Sequence, residues 1–346
     1  MNTKLLIAFI FLVGTAHNIV AQNPFTRNVI PDSLIDLAIT GLIETDVEFN
    51  TLEMFHYQED NQTLYIYDQP NSAVIAVNLI TSKVDTLGLG IGRGPQQFIY
   101  LNMCSFSEDH IYLSDSSLSK YVRYLKSDHS FDGEFITDNY SPYLAFTKNE
   151  IALANYTIGR GTKIHDKMFK YKKYMDIKVP EQRSTPFEIS GYVVSLHDAF
   201  YYFTNYTGIL FSDDESKNVK LVAYKQHQQG SYKSAAPIDG VFRNNYSHKI
   251  EFLYANDDYI ITRYRNSEFE ENYVDFSTID GKYIASVDYA NIIRKFRDIN
   301  GSYVNGSYRF MNENIFLTTT DVDKYTLIDL KNVFDTLVNV DGTLVD

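Results

Sequence analysis

Tryptophan is absent from this chain of 346 residues, cysteine occurs once, and proline only 8 times. One Cys excludes an internal disulfide, so stability must come from an apolar core and backbone ladders. That residue, Cys104, sits in the stretch Leu101-Asn102-Met103-Cys104-Ser105-Phe106, which suits a buried, inert thiol rather than a nucleophile. Long apolar runs are missing too. The run Leu5 to Val13 falls well short of the roughly 20 residues a spanning helix needs, and no other stretch approaches that length. Positive charge is scarce: 31 Lys and Arg face 44 Asp and Glu, a net charge of −13. That balance argues against nucleic acid and against anionic membrane surfaces.

The N-terminus has the pattern of a secretory signal peptide over residues 1–21. Lys4 supplies the positive region, Leu5 to Val13 the apolar region, and Gly14 breaks it. Cleavage is expected after Ala21, with Ile19 and Ala21 at the specificity positions. No Cys lies nearby, so no lipid anchor of the Cys-linked type is expected. The mature chain is expected in the periplasm or outside the cell, with no transmembrane segment. Residues 22–41 read as a polar lead-in. Within it Ser33 to Ile39 fits a turn of helix or a strand equally well.

What the chain has in quantity is aromatic surface: 28 Tyr and 23 Phe. Both residues suit pleated, half-buried strands, and Tyr tolerates one wet end. Together with little Pro or Gly and no long helical pattern, they predict an all-β domain over residues 42–346. A theme of short strands and polar turns recurs through it. Its clearest strands are Leu64–Tyr67, Ile111–Leu113, Ile151–Leu153, Phe200–Phe203, Tyr259–Ile261 and Ile315–Leu317. A polar group precedes each: Glu59-Asp60-Asn61, Ser107-Glu108-Asp109, Lys148-Asn149-Glu150, His197-Asp198, Asn256-Asp257-Asp258 and Asn312-Glu313-Asn314. Asn and Asp bond their own backbone and tolerate left-handed conformations, so such groups mark tight hairpins. Further hairpins follow, the last pairing Tyr325–Leu330 with Val333–Val338. Six such units predict a six-bladed β-propeller with four antiparallel strands per blade. Five or seven blades stay open if one unit is misread. The segment Asp46 to Tyr57 alternates as a strand and is expected to close the ring by completing the last blade.

The most specific stretch is Gly90-Ile91-Gly92-Arg93-Gly94-Pro95-Gln96-Gln97-Phe98, continued by Asp109 to Asp115 and Lys120 to Tyr124. It resembles one full NHL-type repeat: a Gly-rich turn with Gly-Pro and Phe, an inner strand, a strand ending in Asp, and a strand of Val and aromatics. Leu64 to Asp68 followed by Val74 to Val77 resembles the second half of the same pattern. The resemblance is to exported bacterial six-bladed propellers of the NHL and TolB-like group. It implies a fold rather than an activity, because that fold hosts hydrolases, lyases and pure binding modules. A phosphate loop is excluded, because no Gly-Lys-Ser/Thr opening a helix follows the glycines.

Candidate chemistry is thin. Asp68 and Asp115 take equivalent positions after their strands, where a carboxylate accepts backbone N–H groups of the next turn. The acidic clusters Asp213-Asp214-Glu215, Asp257-Asp258 and Asp321-Val322-Asp323 lack the spacing of a calcium loop. His110, His165 and His197 can meet only through the fold, and no Gly-x-Ser-x-Gly elbow exists. Topology sets the turns between second and third strands, and the turns entering each inner strand, on one face. That face would gather Arg93, Asp68, Asp115, Arg160, Tyr206, Arg263 and Arg265 around a channel mouth. The function expected is a binding or interaction module for an anionic or polar ligand such as a glycan or a peptide. The competing expectation is a hydrolase or carbohydrate lyase, metal-assisted or not. No cofactor is expected, and a monomer is.

Overall fold

The structure is a computed structural model. It describes residues 27–31, 36, 43–44, 54–58, 62–138, 141, 143–154, 162–175, 191–204, 208–224, 248–266, 271–300, 308–311, 314–318 and 324–341. The expected signal peptide and most of the lead-in lie outside these residues.

The described strands form six four-stranded antiparallel sheets. Strand β1 (Ile43–Glu44) precedes sheet one, which holds β2 (Met54–Gln58), β3 (Thr63–Asp68), β4 (Ala73–Asn78) and β5 (Val84–Leu87). Sheet two holds β6 (Leu101–Phe106), β7 (His110–Asp115), β8 (Lys120–Leu125) and β9 (Phe131–Ile136). Sheet three holds β10 (Tyr143–Phe146), β11 (Glu150–Ala154), β12 (Thr162–Asp166) and β13 (Tyr171–Met175). Sheet four holds β14 (Gly191–Leu196), β15 (Ala199–Thr204), β16 (Ile209–Phe211) and β17 (Val219–Lys220). Sheet five holds β18 (His248–Ala255), β19 (Tyr259–Asn266), β20 (Glu271–Thr278) and β21 (Tyr283–Asp288), followed by helix α1 (Tyr289–Asn300). Sheet six holds β22 (Tyr308–Met311), β23 (Asn314–Thr318) and β24 (Lys324–Asp329), with helix α2 (Leu330–Asp341) after it.

Each strand picked out above as the clearest of its unit is the second of its sheet. Where their side chains are described, most are buried on both faces rather than alternately: Thr63 to Tyr67 are all buried, as are Ile111 to Asp115. The reason is stacking. Tyr65 and Tyr67 of sheet one meet Ile111 and Leu113 of sheet two, while Tyr112 turns the other way onto Ile151 and Phe169 of sheet three. Sheets three and four meet through Ile164 and Phe200, sheets four and five through Phe203 and Ile260, and sheets five and six through the cluster that holds Tyr259 and Ile328, joined by Phe334 of α2. First strands lie innermost: β2 lies against β6, β6 against β10, β10 against β14, β18 against β22, and β22 against β2. Sheets stacked face to face around their first strands make an all-β propeller with four antiparallel strands per blade.

Two expectations need correction. The strand that completes sheet six is Ile43–Glu44, paired with Lys324 and Tyr325. Of the segment Asp46 to Tyr57 placed above as the closing strand, residues 46–53 lie outside the described residues, and Met54 to Tyr57 belong instead to the inner strand of sheet one. Second, Val333 to Val338 is helical. Leu330, Val333, Phe334, Leu337 and Val338 recur at helical spacing, and Asp329 caps the helix by accepting the Asn332 N–H at 3.1 Å. Helix α1 was likewise unforeseen; Asp288 accepts the Ala290 N–H at 2.8 Å, and Tyr289, Ile292 and Ile293 face the core. Among the described residues no helix is long and apolar enough to cross a membrane.

A short stretch of the lead-in is fastened to the outer edge of sheet five. Ile30 donates to the Ser286 carbonyl at 2.8 Å, Ser286 donates to the Asn28 carbonyl at 2.9 Å, and Val29 bridges Ser286 in parallel. Arg27 pairs with the fully buried Asp275 at 3.2 Å, its guanidinium between the rings of Tyr264 and Tyr273. Asp275 also accepts from the hydroxyls of Tyr224 and Ser286.

Candidate binding cavity

Four successive first hairpins converge on a cavity of about 810 Å³. They join β6 to β7, β10 to β11, β14 to β15 and β18 to β19, and are the same polar groups that mark hairpins in the sequence. Three use one device. The side-chain oxygens of Ser107, Thr147 and Asn256 accept the N–H three residues on, at 3.1, 3.1 and 2.9 Å. The fourth, His197-Asp198, is a two-residue hairpin with both residues left-handed, at φ 47° and 57°. Asp and His are among the side chains that tolerate this left-handed conformation, which suits the tight turn.

Phe146, Leu196 and Ala255 give the cavity an apolar part, and its ionisable lining comprises Glu108, Asp109, Asp198, Asp257, Lys148, Lys167, His110 and His197. Four carboxylates against two ammonium groups make it net acidic by two charges with His neutral. Hairpins are tied across sheets: the Lys148 N–H donates to Asp198 at 2.6 Å, and His197 Nε2 lies 3.4 Å from the Asp257 carbonyl. His110 lies 3.3 Å from Asp132, which pairs with Arg123 at 2.6 Å. Burial, then the Arg123 charge, holds the His110 imidazole below its ordinary value, so it is neutral at pH 7. Among the described residues no group of three or more metal-ligating side chains forms.

The predicted site residues lie elsewhere. The turn after β7 is at the opposite end of that strand from the β6–β7 hairpin, so Asp115 and the Gly-rich loop sit at the far mouth. Asp115 is fully buried and saturated: it accepts from Ile99 N (2.6 Å), Tyr100 N (3.2 Å), Ser117 N (2.7 Å) and Leu118 N (3.1 Å). Asp68 accepts from the Asn71 side chain at 2.7 Å. Arg93 is exposed on the Gly-rich loop, which the buried Lys120 ammonium braces by donating to the carbonyls of Gly94 and Gln97. Arg263 and Arg265 are not loop residues; they lie within β19. Arg265 pairs with Glu251 at 2.6 Å, and the buried Arg263 donates to Asn272 at 3.0 Å and lies over the Tyr289 ring. Arg160 and Tyr206 fall outside the described residues. Of the three histidines, His110 and His197 reach the cavity, while His165 is buried in β12 against Tyr171. Cys104 is buried, and burial pushes its thiol well above the ordinary range.

No protein-family model matches the chain. No curated protein matches it either. Among solved structures it is similar to a Bacteroides fragilis protein named as exported, at 15% identity over 90% of this chain and 89% of that chain, with a TM-score of 0.49. It is similar also to the β-propeller domain of Cps50 (Swd1) from Myceliophteria thermophila, at 11% identity over 82% and 99%, TM-score 0.42. A third is the glutaminyl cyclase of Myxococcus xanthus, at 10% identity over 84% and 94%, TM-score 0.36.

Proposed function

We propose that this chain is an exported, monomeric binding module, a ring of six blades that takes a polar ligand in the first-hairpin cavity. The six-blade reading is supported by the six sheets and by the contact of β22 with β2, which brings the last sheet beside the first. The NHL-type reading is supported by the quoted motif, which spans the loop into sheet two and that sheet's second and third strands. Export is supported by the N-terminal pattern of Lys4, an apolar run and small residues.

The observation that carries the binding reading is the cavity itself, built by four rigid hairpins with an apolar part and a polar rim. Its acidic balance moves the ligand away from the anions expected at an Arg-lined mouth. A neutral glycan or a zwitterionic peptide fits four carboxylates and two ammonium groups better. The test is a thermal-shift screen of the purified protein against neutral glycans, acidic glycans and short peptides. A ligand at a hundred times its Kd stabilises the fold by about 2.7 kcal/mol. A hit is expected among the neutral or zwitterionic compounds, abolished by Phe146→Ala and unchanged by Arg93→Ala. A hit lost with Arg93→Ala and retained in Phe146→Ala moves the site to the other mouth.

A further inference from the structure

The outer edge of sheet three differs in charge and in surface from the outer edges of the other sheets. Residues 162–175 carry five lysines against the single acidic residue Asp166, in a chain whose net charge is −13. Two of those lysines lie in β13 itself; the other five outer strands together hold one, Lys220, against five acidic residues. Lys172 pairs with Glu150, and Lys173 lies 3.4 Å from Asp213. Among the described residues Lys163 and Lys170 form no ion pair.

The pairing of β12 with β13 slips at Lys172. Ile164 pairs with Lys173 and His165 with Tyr171, so Lys172 is the extra residue of a bulge. Side chains three apart on a regular strand point to opposite faces. The bulge instead turns Tyr171 and Tyr174 onto one face, with Lys163 opposite Tyr174 on the same side. The two ring centres are 5.3 Å apart, and the Lys163 Nζ lies 6.0 Å from the centre of the Tyr174 ring. Tyr171 and Tyr174 are 52% and 54% exposed, and neither they nor Lys163 and Lys170 line the cavity.

Lysines and a bulge on an outer strand guard it against pairing with another chain, which accounts for both features. It does not account for two rings held side by side in water. The same bulge interrupts the hydrogen-bonding edge on which an extended peptide would add as a strand. A sugar chain needs no such ladder. The C–H face of a pyranose ring is apolar, its hydrogens carry partial positive charge, and it stacks on the negative face of an aromatic ring. Lysines beside the rings select sugars that carry carboxylates. The net charge of the molecule does not oppose this at physiological salt, where exposed charges more than about 8 Å apart are largely screened. We propose that Tyr171, Tyr174, Lys163 and Lys170 form a second binding site, a shallow platform on the outer edge of sheet three for an acidic polysaccharide.

The test measures binding of the full chain to three immobilised polymers on a biosensor. Polygalacturonate has rings and charge, its methyl ester has the rings without the charge, and polyglutamate has the charge without the rings. Polygalacturonate is expected to bind several-fold more tightly than either control. Replacing both tyrosines, Tyr171→Ala with Tyr174→Ala, is expected to lower that affinity about tenfold through the lost stacking. Lys163→Gln and Lys170→Gln are each expected to lower it several-fold and to flatten its decline with added salt. These two variants decide the matter if the paired Tyr variant melts lower than wild type. Phe146→Ala is expected to leave polygalacturonate binding unchanged, which separates the platform from the cavity. Equal binding to either control overturns the proposal: the ester makes charge irrelevant, and polyglutamate makes the patch an acidic-peptide site. Absent binding to polygalacturonate, binding that survives the Tyr and Lys substitutions, or loss with Phe146→Ala overturns it too.

Discussion

Asp115 shows how one side chain organises two turns. Its two oxygens accept four backbone N–H groups, two before β6 and two after β7. Removing it leaves four donors to find partners in a buried corner. Leaving a buried donor unpaired costs about 1–3 kcal/mol, so Asp115→Ala is expected to lower unfolding free energy by at least that much. Denaturant titration checks it, and Asp115→Asn, which retains one acceptor, should fall between the two. This role was legible in the sequence, where Asp directly after a strand and before a turn reads as a capping acceptor. The arginines were not legible. Arg263 and Arg265 sit beside polar residues that read as loop, yet β19 runs on to Asn266 because Glu251 and Asn272 across the ladder supply partners. A cross-strand partner lies far along the chain, and local pattern does not report it.

At the scale of elements, sheets are tied by polar clasps as well as by apolar faces. His129, in the last hairpin of sheet two, reaches sheet one: Nδ1 lies 2.8 Å from Asp85 and Nε2 lies 3.0 Å from the buried Tyr65 hydroxyl. Hydrogen bonds from Lys83 and from His129 hold the Asp85 carboxyl below its ordinary value. A carboxyl depressed in the folded state stabilises it above the unfolded value, and that contribution disappears as pH falls through the folded value. Wild type is therefore expected to melt higher than Asp85→Asn at neutral pH, with the two Tm values converging as pH drops below the carboxylate range. A difference that persists at low pH contradicts the clasp. The helices were the least legible elements. Both follow a strand and an Asp, and their apolar spacing is helical, but the strand rhythm before them invites a further strand. The four hairpin groups among the described residues, by contrast, were located correctly and read only as turns. That they meet around one cavity is a property of the ring.

The molecule as a whole is held by its ends. Sheet six has three of its strands from the last part of the chain and its fourth from Ile43–Glu44. Without β1, strand β24 presents an open ladder edge, which templates association with other chains. A chain beginning at residue 45 is expected to melt lower and to scatter light increasingly with concentration. A chain beginning at residue 32 keeps β1 but loses the Arg27 clasp and the pairing of residues 28–30 with the edge of sheet five, leaving Asp275 buried without its guanidinium. It is expected to melt lower while remaining monomeric by light scattering. The propeller was legible because each sheet repeats the same rhythm; the closing strand was sought in Asp46 to Tyr57 because Ile43–Glu44 is too short to show alternation.

That seam also sets an order of events. Ile43 leaves the ribosome long before its partner Tyr325 is made. Strand β1 must wait for β24 before anything can receive it, so no product that ends before β24 can seal. The seam thus acts as a length gauge: only a chain finished through β24 covers the edge of its last sheet.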